Sequence, residues 1–278
     1  MLNYQKKRCE DQEGVKPKRK KTRVPHISYS ALKNWEFCPF YHKLTYIDRI
    51  KIFKGNIHTS FGTSVHAGCE KIVLDESVDT EKIFSQTFKD ELESLPEEEK
   101  PDPKLVEQMS SVGPDLPKYA LAALHEKFPG FKVFSVEEEI VEPILDAPGD
   151  FDFKGFVDLI IKTPDGKYHI LDWKTCSWGW DIQKKTDKMI TYQLTYYKKF
   201  FCDKHDVDPK MVETYFGLLK RTAKKEHVEI FRVSSGPRKV NNSLKLLETA
   251  VYNIHNKNHP KNRTKCEKCE FNRTEWCP

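Results

Sequence analysis

Apolar and polar side chains alternate along residues 151–161 in the two-residue period of an extended strand. The chain then reads Thr163-Pro164-Asp165-Gly166, and a proline in second place with a glycine last favours a tight turn. Residues 167–174 should therefore return antiparallel to the first strand. On the returning strand Asp172 and Lys174 share a face, within reach of Asp158 across the hairpin.

The segment after residue 27 has the pattern of an interrupted helix. Ser28 or Ser30 can cap it, and an aromatic-rich stretch follows. The pair Cys38-Pro39 should break this helix, because the residue before a proline avoids helical backbone angles. The helical pattern then resumes at residues 40–44, so we expect two short helices in succession.

A longer helix is predicted to begin at Gly62. Its apolar stripe contains Val65, Cys69 and Ile72. His66 lies beside this stripe rather than within it, and a solitary histidine in such a position is more often structural than functional.

The remaining pattern completes an α/β chain. The predicted elements are a helical insertion at 79–128, a strand at 131–141, a helix containing residues 193–197, strands at 212–219 and 228–233, and a helix at 240–254. Together with the hairpin they predict a central mixed sheet flanked by helices.

Asp158 and Asp172 form the candidate chemical site. Two carboxylates that face each other repel, and a divalent cation between them allows both to stay ionised. Oxygen ligands favour Mg²⁺ or Mn²⁺. Lys174 beside such an ion can hold a water molecule or offset charge on a phosphoryl group. The plainer interpretation is a surface hairpin with an ordinary Asp-Lys ion pair.

Four motifs in order favour the chemical interpretation. They are Gly62-Thr63-Ser64-Val65-His66, Gly155-Phe156-Val157-Asp158, Asp172-Trp173-Lys174 and Gln193-x-x-x-Tyr197. Over residues 27–278 the chain resembles the PD-(D/E)XK nuclease superfamily, and within it the RecB-like branch that includes CRISPR-associated and phage exonucleases. It departs from the family pattern at Val157, where relatives have proline, and this position supplies no ligand.

The resemblance implies a restriction-endonuclease-like core and a Mg²⁺- or Mn²⁺-dependent nuclease. That enzyme would be an exonuclease acting on single-stranded DNA or duplex ends in replication, recombination or repair. His66, Asp158, Asp172 and the Trp173 backbone carbonyl would bind the metal. Lys174 would assist water activation, while Gln193 and Tyr197 would position the DNA strand and the lysine.

Several assignments near the site stay open. Glu137 and Glu139 share a face of the strand before the hairpin, and either is a candidate further ligand or an exposed strand carboxylate. Trp178 and Trp180 follow Lys174 and are candidates for stacking on DNA bases. An alternative function for the whole chain is a noncatalytic nucleic-acid-binding or assembly subunit that kept the fold, although an intact Asp-Asp-Lys set argues against it.

The C-terminal segment 257–278 contains a second candidate metal site. Cys266-x-x-Cys269 followed by Cys277 is typical of metal binding in a reducing compartment. The resemblance to iron-sulfur RecB-like nucleases implies Cys38 as a fourth ligand. Four thiolates suit a [4Fe-4S] cluster and also tetrahedral Zn²⁺. The gap before Cys277 is longer than the usual family spacing, which leaves the metal open.

Charge separates residues 1–25, predicted to be a disordered basic tail, from a nuclease domain at 26–278. Residues 1–23 contain nine Lys or Arg and three acids, a balance of +6, so the remainder is near −1 within a total of +5. The tail favours nonspecific attraction to phosphate, and Lys16 to Arg23 also resembles a nuclear-import signal.

No membrane-spanning run or signal segment is present, so we expect an intracellular protein, cytoplasmic or nuclear.

Overall fold

A computed structural model describes residues 24–278 of the chain. One six-stranded mixed sheet forms its centre, with helices on both faces. The strands are β1 (His26–Ser28), β2 (Lys132–Pro143), β3 (Asp152–Lys162), β4 (Tyr168–Cys176), β5 (Val212–Lys220) and β6 (Val228–Val233). The helices are α1 (Tyr29–Phe37), α2 (Pro39–His42), α3 (Ile57–Leu74), α4 (Thr80–Glu93), α5 (Pro103–Val112), α6 (Leu116–Lys127), α7 (Ile182–Thr186), α8 (Lys188–His205) and α9 (Pro237–His255).

The predicted hairpin of β3 and β4 is confirmed. Gly166 N donates to the Thr163 carbonyl at 2.9 Å, and Gly166 has a φ of +84°, a backbone conformation that favours glycine. The two strands pair antiparallel only from the turn to Leu159 and Leu171. Beyond this pair β4 continues parallel to β5, while β3 pairs with β2 and β1. The hairpin therefore opens immediately after its last pair, at Asp158 and Asp172.

Two hydrophobic cores cover the two faces of the sheet. Residues of α1, α8 and α9 pack with Phe153 and Val157 of β3 on one face. Residues of α3, α4 and α6 pack with Leu159 and Trp173 on the other. Each face of the hairpin is thus buried by its own set of helices, which holds the open end of the hairpin between two rigid layers.

The helix that contains His66 begins earlier than predicted, at Ile57 rather than at Gly62. Asn56 is its cap, because its side chain accepts hydrogen bonds from His58 N and Thr59 N, and the Thr59 hydroxyl accepts in return from Asn56 N. The prediction of a start at Gly62 was wrong because this capping box lies one and a half turns upstream.

The predicted helical insertion at 79–128 is confirmed and contains α4, α5 and α6. It packs on α3 through Phe84, whose ring centre lies 5.7 Å from that of Phe61, and through Pro117, whose Cγ would lie 2.6 Å from a Cβ atom at Gly68. This lobe therefore packs against the helix that contains His66.

Strand β1 was not predicted, because three residues are too few to show a period. It pairs parallel with β3, and the Pro25 carbonyl accepts from Asp152 N at 2.9 Å. The residues of the predicted tail up to Arg23 lie outside the described part of the chain. Within residues 24–278, no helix combines the length and apolar character needed to cross a bilayer.

Candidate active site

Asp158 and Asp172 lie where β3 and β4 separate, and both side chains are largely withdrawn from solvent. The Asp172 side chain is 2 % exposed and the Asp158 side chain 16 %. Asp158 Oδ2 accepts a hydrogen bond from Trp173 N at 2.7 Å, across the open end of the hairpin. Burial raises the pKa of Asp158 well above its usual range, and the negative charge of Asp172 raises it further. The two buried carboxylates therefore repel each other when both are ionised.

Lys174 provides the positive charge closest to these acids. Its Nζ forms an ion pair with Asp172 Oδ2 at 2.6 Å. Burial acts to lower the pKa of Lys174, but the charges of Asp172 and Asp158 outweigh it, and the pKa is raised. Asp172 and Lys174 stand side by side as the strand pattern predicted.

Helix α8 supplies the side chains that hold the Asp172 carboxylate in place. Gln193 Nε2 donates to Asp172 Oδ1 at 2.7 Å and to the Tyr197 hydroxyl at 3.2 Å. The Tyr197 ring in turn lies over Gly155, where a Cβ atom would come within 2.8 Å of Tyr197 Cε1. Burial raises the pKa of Tyr197, which keeps its hydroxyl neutral. One face of the helix thus fixes the orientation of Asp172 through contacts that reach back to β3.

His66 approaches the acids from the opposite face of the sheet. Its Nδ1 lies 3.6 Å from Asp158 Oδ2. Burial lowers the pKa of His66, opposed in part by the charge of Asp172, so the neutral imidazole is favoured. His66 and Asp158 line an open cleft of about 480 Å³ between α3 and the sheet. A substrate reaching Asp158 has room to enter there.

Trp173 is fixed from behind by β5. Its indole ring is buried and lies over Gly217, where a Cβ atom would be 2.2 Å from Trp173 Cε3. The register pairs these two residues directly across the parallel strands. The absence of a side chain at Gly217 therefore lets the ring anchor the backbone segment between Asp172 and Lys174.

The cleft also contains acidic residues beyond the predicted set. Glu137 and Glu70 line it, and burial, followed by the charge of Glu70, raises the pKa of Glu137. Glu139 instead pairs with Lys154 at 2.8 Å. The alternation of β2 is interrupted at Glu137, which has a φ of +49°, so these two glutamates take different surroundings. Glu70 was missed, although its position four residues after His66 puts both on one helix face.

The four predicted cysteines of the second site come together. Cys38, Cys266, Cys269 and Cys277 line one cavity of about 290 Å³ between α1, α2 and the C-terminal segment. Burial raises the pKa of Cys269, and the other three thiols, close enough to act through their charge, raise it further. Asn262 N donates to Cys38 Sγ at 3.3 Å and Asn262 Nδ2 to the Phe37 carbonyl at 2.9 Å.

The other cysteines are separate from this cavity. Cys69 and Cys202 are buried, Cys176 is half-buried, and Cys9 lies outside the described residues. Tyr41 contacts the C-terminal segment through a hydrogen bond to Glu270 at 2.6 Å and an edge-to-face contact with Phe271. The segment is thus attached to the start of the folded chain by polar and aromatic contacts.

The donor chemistry at both places fits the groups that were predicted. Asp158 and Asp172 offer oxygen donors and excess negative charge, which suit Mg²⁺ or Mn²⁺, and four converging thiols suit a cluster or Zn²⁺. As the side chains stand, no group of three or more His, Cys, Asp or Glu within residues 24–278 has the arrangement of a metal site. Lys174 lies against Asp172 Oδ2, the carboxylate oxygen that Gln193 does not engage.

Comparisons with known proteins concern the family and the fold of the chain. The family model of the PD-(D/E)XK nuclease superfamily matches residues 26–278. The crystal structure of a "putative exonuclease" from Eubacterium rectale aligns with a TM-score of 0.58 and 15 % identity, covering 92 % of this chain and 91 % of that one. The crystal structure of SSO0001 aligns with a TM-score of 0.37 and 18 % identity, covering 85 % and 93 %. No curated protein matches the sequence significantly.

The structural likeness to the Eubacterium rectale protein concerns the fold, a mixed sheet flanked by helices of restriction-endonuclease-like type. The family match covers almost every residue that the structure describes, including all the residues around the hairpin opening. The chain belongs to the PD-(D/E)XK nuclease superfamily.

Proposed function

We propose that the chain hydrolyses phosphodiester bonds in DNA with Mg²⁺ or Mn²⁺ and acts as an exonuclease of the RecB-like branch. The observation that carries the proposal is the convergence of Asp158, Asp172 and Lys174 at the opening of the β3–β4 hairpin. Because two buried acids and one cation are costly to place together, a structural role alone gives little reason for the arrangement.

The residues of the chain have distinct roles in this proposal. Asp158, Asp172, the Trp173 carbonyl and His66 would hold the metal, which supplies a more acidic water and charge neutralisation when bound. Lys174 places a cation where negative charge develops on the phosphoryl oxygens. Gln193 and Tyr197 keep the Asp172 carboxylate in one orientation, because its Oδ1 is engaged by Gln193 Nε2. Glu137 is the better placed of the two open glutamates to join the shell, since it alone of them lines the cleft.

The cysteine cavity supports a second, structural metal centre in the same proposal. Cys38, Cys266, Cys269 and Cys277 would bind a [4Fe-4S] cluster, or Zn²⁺ as the alternative, and join the two ends of the folded chain. A role in DNA replication, recombination or repair is part of the same proposal. It rests on the resemblance to RecB-like exonucleases.

The test is cleavage of labelled linear DNA in Mn²⁺ by Asp172→Ala and Lys174→Ala. We expect both to reduce cleavage at least 10²-fold, because each removes a group aimed at the reacting phosphate. Asp165→Ala and Lys167→Ala are matched controls, since they change an acid and a lysine at the other end of the same hairpin. Closed circular DNA should resist the wild-type protein, as expected of an exonuclease.

Two results would count against this function. Full activity in Asp172→Ala and Lys174→Ala would remove the proposed site. A wild-type protein that binds DNA but cleaves none under any metal would favour the noncatalytic binding subunit.

A further inference from the structure

Trp178 has the largest exposed fraction of any aromatic side chain in residues 24–278, at 68 %. It lies two residues beyond the end of β4, the strand that supplies Asp172 and Lys174. Within the described part of the chain, no ring or cation contact involves its indole. Keeping so large an apolar ring in water is unfavourable, and exposed aromatic rings are common where a partner covers them.

The backbone beside Trp178 is fixed. The Ser177 carbonyl accepts from Thr222 N at 3.1 Å and from the Thr222 hydroxyl at 2.6 Å, and Ser177 Oγ accepts from Arg221 at 2.8 Å. These bonds attach the loop after β4 to the turn between β5 and β6. A ligand that covers the Trp178 ring therefore meets a loop that is already ordered on one side, which lowers the entropy cost of binding.

Trp180 has a different environment and serves the core. Its ring packs against Phe216 at 5.3 Å and Phe231 at 6.1 Å, and Lys184 Nζ lies 4.6 Å from its centre. Lys174 Nζ lies 5.9 Å from the Phe216 ring. A series of contacts thus runs from Lys174 through Phe216 to Trp180, and Trp178 lies four residues after Lys174 on the segment between these two ends.

Lysines lie on the segments that flank this exposed ring: Lys184 Nζ is 4.6 Å from the Trp180 ring centre, and Lys220 Cδ would be 3.9 Å from a Cβ atom at Gly179. Lys224 and Lys225 follow Thr222 in the turn that is bonded to Ser177. Lys185 is paired with Glu229, whereas no ion pair in residues 24–278 involves Lys184, Lys220, Lys224 or Lys225. Residues 178–188 and 220–229 together contain seven Lys or Arg and four acids, a balance of +3, whereas residues 24–278 as a whole are near −1 in net charge. A flat ring bordered by unpaired lysines complements the bases and phosphates of an unpaired strand.

We propose that Trp178 is a stacking platform for a base of single-stranded DNA next to the active site, with Lys184, Lys220, Lys224 and Lys225 near its phosphates. This inference rests on the proposed function and specifies its substrate. Duplex DNA does not fit the ring as well, because the faces of paired bases are already stacked on each other.

The experiment measures binding of two labelled strands in an Asp172→Ala background, where cleavage does not interfere. One strand is oligothymidylate, and the other is a chain of abasic sites with the same phosphates and no bases. Trp178→Ala should raise Kd for oligothymidylate by about 5- to 150-fold, because stacking contributes roughly 1–3 kcal/mol per base. It should leave Kd for the abasic strand unchanged, and Trp178→Phe should retain most of the affinity.

Tyr252→Ala is the matched control, since Tyr252 is 59 % exposed on α9 and belongs to neither site. An equal Kd for oligothymidylate with and without Trp178 would refute the platform. An equal loss of affinity for the oligothymidylate and abasic strands would also refute it. If Asp172 and Lys174 prove essential for cleavage while Trp178→Ala binds normally, the inference fails alone. If Trp178-dependent binding is found in a protein that cleaves nothing, the hydrolytic function fails and the platform stands. Absence of binding to oligothymidylate by the parent protein overturns the platform, while cleavage by the wild-type protein alone decides the hydrolytic function.

Discussion

Gly155 positions the active site through the space that it leaves for the Tyr197 ring. A Cβ atom there would lie 2.8 Å from Tyr197 Cε1 and 3.3 Å from Phe153 Cε1. Both rings are buried, so neither can move into solvent. Because Gln193 bonds to both Tyr197 and Asp172, a displacement of the ring is transmitted to the carboxylate.

We therefore predict that Gly155→Ala lowers the free energy of unfolding by about 1–3 kcal/mol, the usual cost of overpacking a core. It should also lower cleavage more than Tyr197→Phe does, because the phenylalanine keeps the ring in place. Thermal unfolding and cleavage rates measure the two effects. Combination with Tyr197→Leu should restore part of the lost stability, and strictly additive losses would contradict a clash between these residues.

The chemistry of single residues was predictable where a motif supplied it. Strand and helix periods put Asp158, Asp172, Lys174, Gln193 and Tyr197 on defined faces, while their chemical roles come from the family resemblance and stay predictions. Glu70 and Asn262 were not found, because their positions depend on how α3 crosses the sheet and how the C-terminus folds back. Neither of these arrangements has a local pattern in the sequence.

Among the elements, the C-terminal segment after α9 is the one whose order is least explained by the burial of apolar side chains. Phe271 is its one fully buried large side chain, and much of the rest is polar and exposed. Its short helical turn, Arg263–Lys268, contains no buried residue. Four thiols around a single cavity therefore offer the strongest means of ordering it.

We predict that Cys277→Ser loses bound metal and stability together, since a thiolate site contributes on the order of 10 kcal/mol of folding free energy. Anaerobic purification with metal analysis identifies the ion, and brown protein would indicate the iron-sulfur cluster, whereas one equivalent of colourless zinc would indicate the alternative. Cys176→Ser is the control outside the cavity. Single serine variants of all four cysteines that melt like the wild type would show that the thiols are unrelated.

The boundaries of elements were predictable to different degrees. The hairpin, β5, β6 and the break at Cys38-Pro39 followed from alternation and from proline. The predicted start of α3 at Gly62 was too late, because the capping box at Asn56 lies upstream of this glycine. Strand order was beyond the pattern altogether, since it depends on contacts between segments far apart in the chain.

At the scale of the whole molecule, charge is divided unevenly between residues 1–23 and the rest. The basic segment holds a balance of +6, while residues 24–278 are near −1. The attraction of the folded part to DNA must then come from local patches, and the basic segment adds attraction that depends on salt and not on sequence.

Deletion of residues 1–24 should weaken DNA binding, flatten its dependence on salt and leave the saturated cleavage rate nearly unchanged. Titrations at several salt concentrations give the slope, whose magnitude should fall by about 0.7–0.9 for each DNA phosphate that the basic segment neutralises. A collapse of the saturated rate would show that the segment acts in catalysis. Nuclear accumulation of a fusion to these residues, abolished by replacing Lys18 to Lys21, would support the import signal.

The meeting of Cys38 with Cys266, Cys269 and Cys277 has a topological consequence. With these thiols joined through one ion, the polypeptide becomes a ring that includes α2 to α9 and all strands but β1. The entropy that such a closure removes from the unfolded chain grows with the logarithm of the enclosed length, so this ring is near the maximum for the molecule. With the ion bound, a proteolytic nick in the exposed turn Glu97–Glu99 would open the ring and leave its two parts linked through the ion.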